Sequence, residues 1–140
     1  MSARITVRAG AAADAASVLR LWSEAVAAES STDHEAALRT LLARDPAALL
    51  IAETDGGPIG TLIVGWDGWR GALYRLAVVP VWRRRGVARL LVAEAEERLR
   101  ALGARRVAAM VIMEHEHAVG FWSAVGYDAD PGLGRFVRML

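Results

Sequence analysis

The residues with the most chemical potential run Arg83-Arg84-Arg85-Gly86-Val87-Ala88. They follow an apolar stretch, Leu76-Ala77-Val78-Val79-Pro80, and precede a helical pattern. A strand that leads through a short loop into a helix leaves the first amide N–H groups of that helix without intrahelical partners. The helix dipole places about half a positive charge at the same point. Together these make an anion site. Gly86 and Ala88 carry almost no side chain, so a phosphate can come close to the backbone. The neighbouring guanidinium groups add charge-assisted hydrogen bonds. Charge alone would read as a solvated cluster beside an ordinary helix start. The small residues at the end of an apolar strand are what favour a phosphate. Competing phosphate loops are absent: there is no Gly-Lys-Ser/Thr and no Gly-x-Gly-x-x-Gly.

The elements that must hold this loop can be read from periodicity. Residues 4–8 alternate, a short strand with Ile5 and Val7 on one face. Asp14 reads as an N-cap, with Ala15, Val18, Leu19, Trp22 and Val26 at helical spacing behind it. Thr32 and Glu35 form a capping-box pattern. A second helix carries Leu38, Leu41 and Leu42 on one face and ends at Asp45-Pro46. Residues 48–52 read as a buried strand. Asp55-Gly56-Gly57 turns it into a returning strand over 59–66. Asp67-Gly68 makes the next turn, and a strand over 71–79 stops at Pro80.

The helix over 86–102 has Ala88, Val92, Ala95, Leu99 and Leu102 as its apolar stripe, with Gly103 as its stop. Glu94–Arg98 and Glu96–Arg100 are favourable i,i+4 pairs on it. A strand over 106–112 follows. Ala118, Phe121, Trp122 and Val125 then mark a short helix closed by Gly126, and residues 133–140 read as a last strand. The order β-α-α-β-β-β-α-β-α-β predicts one α/β domain, 1–140, around a mixed sheet.

Composition narrows the chemistry. The 140 residues are a common single-domain length. There is no cysteine, so thiol nucleophiles, disulfides and Cys-based zinc sites are excluded. A net charge of +1 predicts no nucleic-acid partner. The start, with Arg4 and Arg8 among apolar residues, lacks a signal-peptide core, and no apolar run approaches the roughly 18 residues of a membrane span. A cytoplasmic protein with no membrane association is expected. All 17 basic residues are Arg, and Lys, Asn and Gln are absent. This reads as the imprint of a GC-rich genome, and any role usually given to Lys or Asn must fall to another residue.

The strand-loop-helix junction resembles the signature of the GNAT superfamily of acetyltransferases, Arg/Gln-x-x-Gly-x-Gly/Ala, which stands here as Arg83-Arg84-Arg85-Gly86-Val87-Ala88. The resemblance covers nearly the whole chain. The family's second motif, Ala-x-x-Phe-Tyr-x-x-x-Gly-Phe/Tyr, is matched by Ala118-Val119-Gly120-Phe121-Trp122-Ser123-Ala124-Val125-Gly126-Tyr127. The run Gly65-Trp66-Asp67-Gly68-Trp69-Arg70-Gly71 is similar to a subgroup of small bacterial members. The resemblance implies a mixed, mostly antiparallel central sheet flanked by helices, and acetyl transfer from acetyl-coenzyme A to an amine. It implies that Arg83, Arg84, Arg85, Gly86, Val87 and Ala88 hold the diphosphate. The pantetheine arm would pair with Leu76, Ala77 and Val78 and enter a splay between this strand and the next. The N–H of Val78 would face the thioester oxygen. Phe121, Trp122 and His115 would lie against the coenzyme.

Several positions depart from the family. Trp122 stands where many relatives carry a Tyr acid, Met110 where some carry a Glu base, and His115 where Asn is usual. Asp67 is the candidate substitute base, although Asp-Gly is a common turn pair and the turn role is the stronger expectation. Glu29 and Asp33, after the first helix, are candidates to line the acceptor cleft or are exposed helix-end charges. Trp22 belongs to the core, whereas Trp66 and Trp69 bracket a turn and are expected in an acceptor pocket or a dimer contact. Side chains alternate along a strand, so one of Tyr74 and Arg75 should face the cleft, and Tyr74 is the acceptor-side candidate. His115 and His117 do not form His-Glu-x-x-His, and no metal site is expected. A non-catalytic acyl-coenzyme A sensor on the same scaffold is the alternative reading. Acceptor identity and a homodimer stay open.

Overall fold

The apolar run at 48–52 and the two strands after it form the centre of a five-stranded sheet. Strands β1 (Thr6–Ala9), β2 (Leu49–Thr54), β3 (Gly57–Trp66), β4 (Gly71–Val78) and β5 (Val107–Ala109) lie side by side in chain order. Three pairings are antiparallel, and β4 with β5 is parallel. The mostly antiparallel mixed sheet expected from the sequence is therefore present. This computed structural model describes residues 4–25, 27 and 30–140. The chain falls into two compact units, Met1–Met110 and Val111–Leu140.

In the first unit, α1 (Ala15–Glu24) and α3 (Val87–Leu102) cover opposite faces of β3. Successive strand residues point to opposite faces. Thr61 meets Trp22 of α1, while a Cβ on Gly60 would sit 3.0 Å from Val87 and 3.3 Å from Leu91 of α3. Both faces are thus buried, and Thr61, Leu62 and Val64 are inaccessible to solvent. Gly71 lets α3 approach β4: a Cβ there would lie 2.6 Å from Leu99. Helix α3 is the crossover that a parallel β4–β5 pair requires. Helix α2 (Glu35–Arg44) packs on α1.

Two caps and one side-chain pair differ from the sequence expectation. Asp14 precedes α1 but does not cap it. Its carboxylate accepts from the Ala11 N–H at 2.8 Å and from both terminal nitrogens of Arg8 at 2.9 Å, which holds a 3₁₀ turn, Ala12–Asp14. Thr32 and Glu35 do not box α2. Its cap is His34, whose Nδ1 accepts from the Ala37 N–H at 3.2 Å, and Asp33 is drawn away to Arg75. Arg98 does not pair with Glu94 but donates to both oxygens of Asp45, at 2.7 and 2.9 Å, because tertiary contact outweighs a weak i,i+4 pair. Arg100 does reach Glu96, at 3.9 Å.

The last strands are shorter than periodicity suggests. β5 stops at Ala109 instead of Ile112. In the second unit, α4 (Glu116–Ala124) forms the expected short helix. Its Trp122 ring stands edge-on to Phe121 and Tyr127, with centroids 5.3 and 4.9 Å away. Residues 133–140 form no strand, and Leu133, Phe136 and Val137 are exposed. Their apolar residues do not alternate with period 2, so pairing would bury no single face.

Candidate active site

After β4 the chain makes a 3₁₀ turn, Pro80–Trp82, closed by the Trp82 N–H on the Val79 carbonyl at 2.9 Å. Pro80 cannot donate to the ladder and so ends the strand. The loop then places Arg84 at φ 62° and Gly86 at φ 82°. Gly86 is the N-cap of α3 and offers no side chain to it. The first-turn amides, before the Leu90 N–H that bonds to the Gly86 carbonyl, are left to an outside acceptor. A left-handed residue followed by a helical one makes the anion-binding concavity known as a nest. A Cβ on Gly86 would meet nothing within 4 Å, so glycine is needed here for its φ, and the space in front of it is open.

The arginines divide. Arg84 and Arg85 are exposed, with the Arg85 guanidinium 5.1 Å from the Trp82 ring centre. Arg83 turns inward. Its Nη2 donates to the Ala25 carbonyl at 2.8 Å and its Nε to the Val78 carbonyl at 3.2 Å. Its side chain fastens the end of α1 to the end of β4. Val87 is buried against Gly60, and Ala88 is half-buried.

The register of β4 contains an extra residue. Tyr74 pairs with Ile63 and Ala77 with Thr61, so Arg75 and Leu76 both oppose Leu62. This is a β-bulge. Before it, the Gly71 N–H bonds to Arg106 and the Leu73 carbonyl accepts from Met110, both toward β5. After it, the Val79 N–H bonds to Ile59 of β3. In an unbroken strand Val79 would share the edge of Gly71 and Leu73. The bulge reverses the phase and turns the Val78 N–H away from β3. It also ends the β4–β5 ladder at Leu73–Ala109, the reason β5 is short. Among the described residues no strand pairs with that edge of β4 after Leu73, where only Arg83 reaches the Val78 carbonyl, and the edge leads directly into the Gly86 loop.

The bulge alters the side chains as well. Strand alternation predicts that only one of Tyr74 and Arg75 faces the α1 side. Both do. Tyr74 lies over Gly65, its ring 3.2 Å from where a Cβ would be, and Arg75 pairs with Asp33 and sits 5.1 Å from the Trp22 ring centre. Arg75 is left-handed, at φ 53°. Neither the bulge nor the buried Thr61 beneath it was read from the sequence. The available signal was a hydroxyl inside the apolar run 59–64.

The other candidates are dispersed. Asp67 is exposed, and its Oδ1 accepts the Arg70 and Trp69 N–H groups, both at 2.7 Å. Those bonds hold its carboxyl below the usual range. It serves the turn, at the end of the sheet opposite Gly86, the stronger of the two expectations for it. Trp66 and Trp69 line a surface cavity of about 370 Å³ at that same end, with Arg70, Leu102, Arg105 and Arg106. They are therefore remote from the Gly86 loop. Glu29 lies outside the described residues. Met110 is partly exposed at the end of the first unit. In the second unit His115 and His117 are exposed and stacked on each other, 5.8 Å between centroids. Among the described residues no group of His, Cys, Asp and Glu is placed to hold a metal, and no helix is long and apolar enough to cross a membrane.

Comparison with known proteins bears on this geometry. Residues 15–127 match the model of the acetyltransferase (GNAT) family. The chain is 31% identical over 115 residues to a protein from Pectobacterium atrosepticum named an acetyltransferase, covering 82% of each. Among solved structures it is similar to a PaiA N-acetyltransferase from Thermoplasma acidophilum in complex with coenzyme A, with a TM-score of 0.79 at 17% identity, over 93% of this chain and 92% of that one. It is also similar to Ard1 from Thermoplasma volcanium, with a TM-score of 0.77 at 20% identity, over 87% and 81%.

Proposed function

The chain belongs to the acetyltransferase (GNAT) family, and from that premise we propose that it moves an acetyl group from acetyl-coenzyme A to a primary amine by direct attack of the nitrogen on the thioester carbonyl. The observation that carries this reading is a continuous track. The open edge of β4 beyond the bulge runs straight into the uncapped, left-handed start of α3. Diphosphate sits on the amides of residues 86–88, with Arg84 and Arg85 adding charge. Pantetheine lies along Leu76, Ala77 and Val78. What supports Val78 as the donor to the thioester oxygen is that its N–H faces that edge.

The acceptor must lose a proton. For a lysine-like amine, pKa about 10.4, the free base costs roughly 4.6 kcal/mol at pH 7. Met110 cannot serve as a base, and Asp67 is committed to its turn. The acceptor therefore reaches the thioester as free base, or loses its proton to water. The leaving thiolate is less demanding, since a thiol's pKa is about 8.5, so Trp122 in place of an O–H acid does not forbid the reaction.

Titration calorimetry with acetyl-coenzyme A, followed by thiol release with small-molecule amines, a peptide N-terminus and a lysine peptide, tests this. Binding with turnover on one of them supports it; no binding heat overturns it. Met110 and Trp122 favour a second reading, an acyl-coenzyme A sensor. That reading predicts binding without turnover on any of these amines.

A further inference from the structure

Thr61 is fully buried, and it is the buried polar residue of the described core. The Trp22 indole donates to its Oγ1 at 2.8 Å. An indole N–H can only donate, so the hydroxyl's single proton is free to go elsewhere. It goes to the Arg75 carbonyl, at 3.1 Å. The direction of the relay is thus fixed: Trp22 to Thr61 to the backbone of Arg75. Arg75 is the residue held at φ 53°, a conformation that disfavours any side chain with a Cβ. Its guanidinium is held from the same side by Asp33 and stands near the Trp22 ring. Strained backbone persists only where its surroundings over-determine it, and here the surroundings include this relay and this ion pair.

We propose that Thr61, oriented by Trp22, is a positioning residue for acetyl transfer: its hydroxyl locks the Arg75 bulge and thereby aims the Val78 N–H at the thioester oxygen. This role rests on the acetyl-transfer reading above. The bulge is what reverses the phase of β4, so a bulge that loosens lets the Val78 N–H drift from its aim. The diphosphate loop begins beyond Val79 and does not depend on it. Loss of the hydroxyl therefore acts chiefly on the chemical step, spares the diphosphate contacts, and weakens acetyl-coenzyme A only through the pantetheine arm laid along Leu76, Ala77 and Val78.

The test compares Thr61→Val, Thr61→Ser and Trp22→Phe with the wild type. Three readouts apply: calorimetric affinity for acetyl-coenzyme A, kcat and KM with the amine that supports wild-type turnover, and backbone amide chemical shifts of residues 75–78 in the free protein. The Val variant should lower kcat about 10- to 100-fold, weaken acetyl-coenzyme A affinity by a clearly smaller factor, and move the four amide shifts. The Ser variant should restore kcat and the shifts. Trp22→Phe, which removes the donor and keeps an aromatic ring, should fall between them. Thermal melts identify any variant that is merely unfolded. Equal kcat in the Val variant, unmoved amides, or failure of Ser to rescue overturns the role alone. A wild-type protein that binds no acetyl-coenzyme A, or turns it over with no amine, overturns the acetyl-transfer reading and this role with it.

Discussion

Arg83 donates to the carbonyl of Ala25, 58 residues earlier in the chain, at 2.8 Å. The first arginine of the run thus closes the C-terminus of α1, whose last carbonyls lack helical partners, while Arg84 and Arg85 project from the loop before Gly86.

The run should therefore separate by variant. Arg83→Ala should lower stability by about 1–3 kcal/mol, since it leaves the partly buried Ala25 carbonyl without its charged donor. Arg84→Ala and Arg85→Ala should leave the melting temperature unchanged and weaken coenzyme A several-fold. Thermal melts and calorimetry on the three proteins decide it.

Gly86 should prove a conformational residue. Gly86→Ala introduces no clash but forces a Cβ into left-handed backbone, at about 1–2 kcal/mol. Coenzyme A affinity should fall about tenfold or more as the nest opens. Gly86→Glu, which sets a carboxylate against the diphosphate, should abolish measurable binding heat. Wild-type affinity in both variants would remove the proposed cradle.

Asp67 should be dispensable for chemistry. Asn keeps the acceptor oxygen that the Trp69 and Arg70 amides use, so Asp67→Asn should show wild-type kcat at every pH. A loss near the 10²- to 10⁴-fold expected for a general base would return the residue to the mechanism.

Acid should act through Asp14 and Asp45. Arg8, the nearby Ala11 N–H and their charge hold the Asp14 carboxyl low. For Asp45 burial works in the opposite direction but is outweighed by Arg98, the Ala47 N–H and Arg44. A carboxyl lowered on folding adds stability above its unfolded value, near 3.9, and that stability disappears as pH falls through the folded value. Denaturant melts should thus show stability steady near neutrality and declining below about pH 4. Asp45→Asn should be less stable at pH 7 by about 1–3 kcal/mol and show a shallower acid slope.

With no side-chain base at Met110, the rate should follow the acceptor. For a lysine-like amine, kcat/KM should climb about tenfold per pH unit toward pH 10. A plateau near pH 7 would point to a titrating group that acts as the base.

Much of the molecule was legible before folding was considered. The Arg83–Ala88 junction was visible because a strand, a loop and a helix start are local patterns, and Gly86 and Gly103 mark the helix ends with residues that tolerate positive φ. Capping was less legible at Thr32 and Glu35. Several short polar residues compete there, and Asp33 was taken by a partner 42 residues away.

The sequence by itself determined the order of elements as far as α4, the sheet class and the glycine-led start of α3, since these follow from hydrophobic period and backbone freedom over a few residues. Tertiary structure alone decided that Arg83 is tied to the end of α1, that Asp67 serves a turn far from the Gly86 loop, and that β4 changes phase at Arg75. A bulge is a mismatch between two strands, and no single strand carries a record of it. Its lock, Trp22 to Thr61, spans 39 residues and exists only once α1 is laid on the sheet.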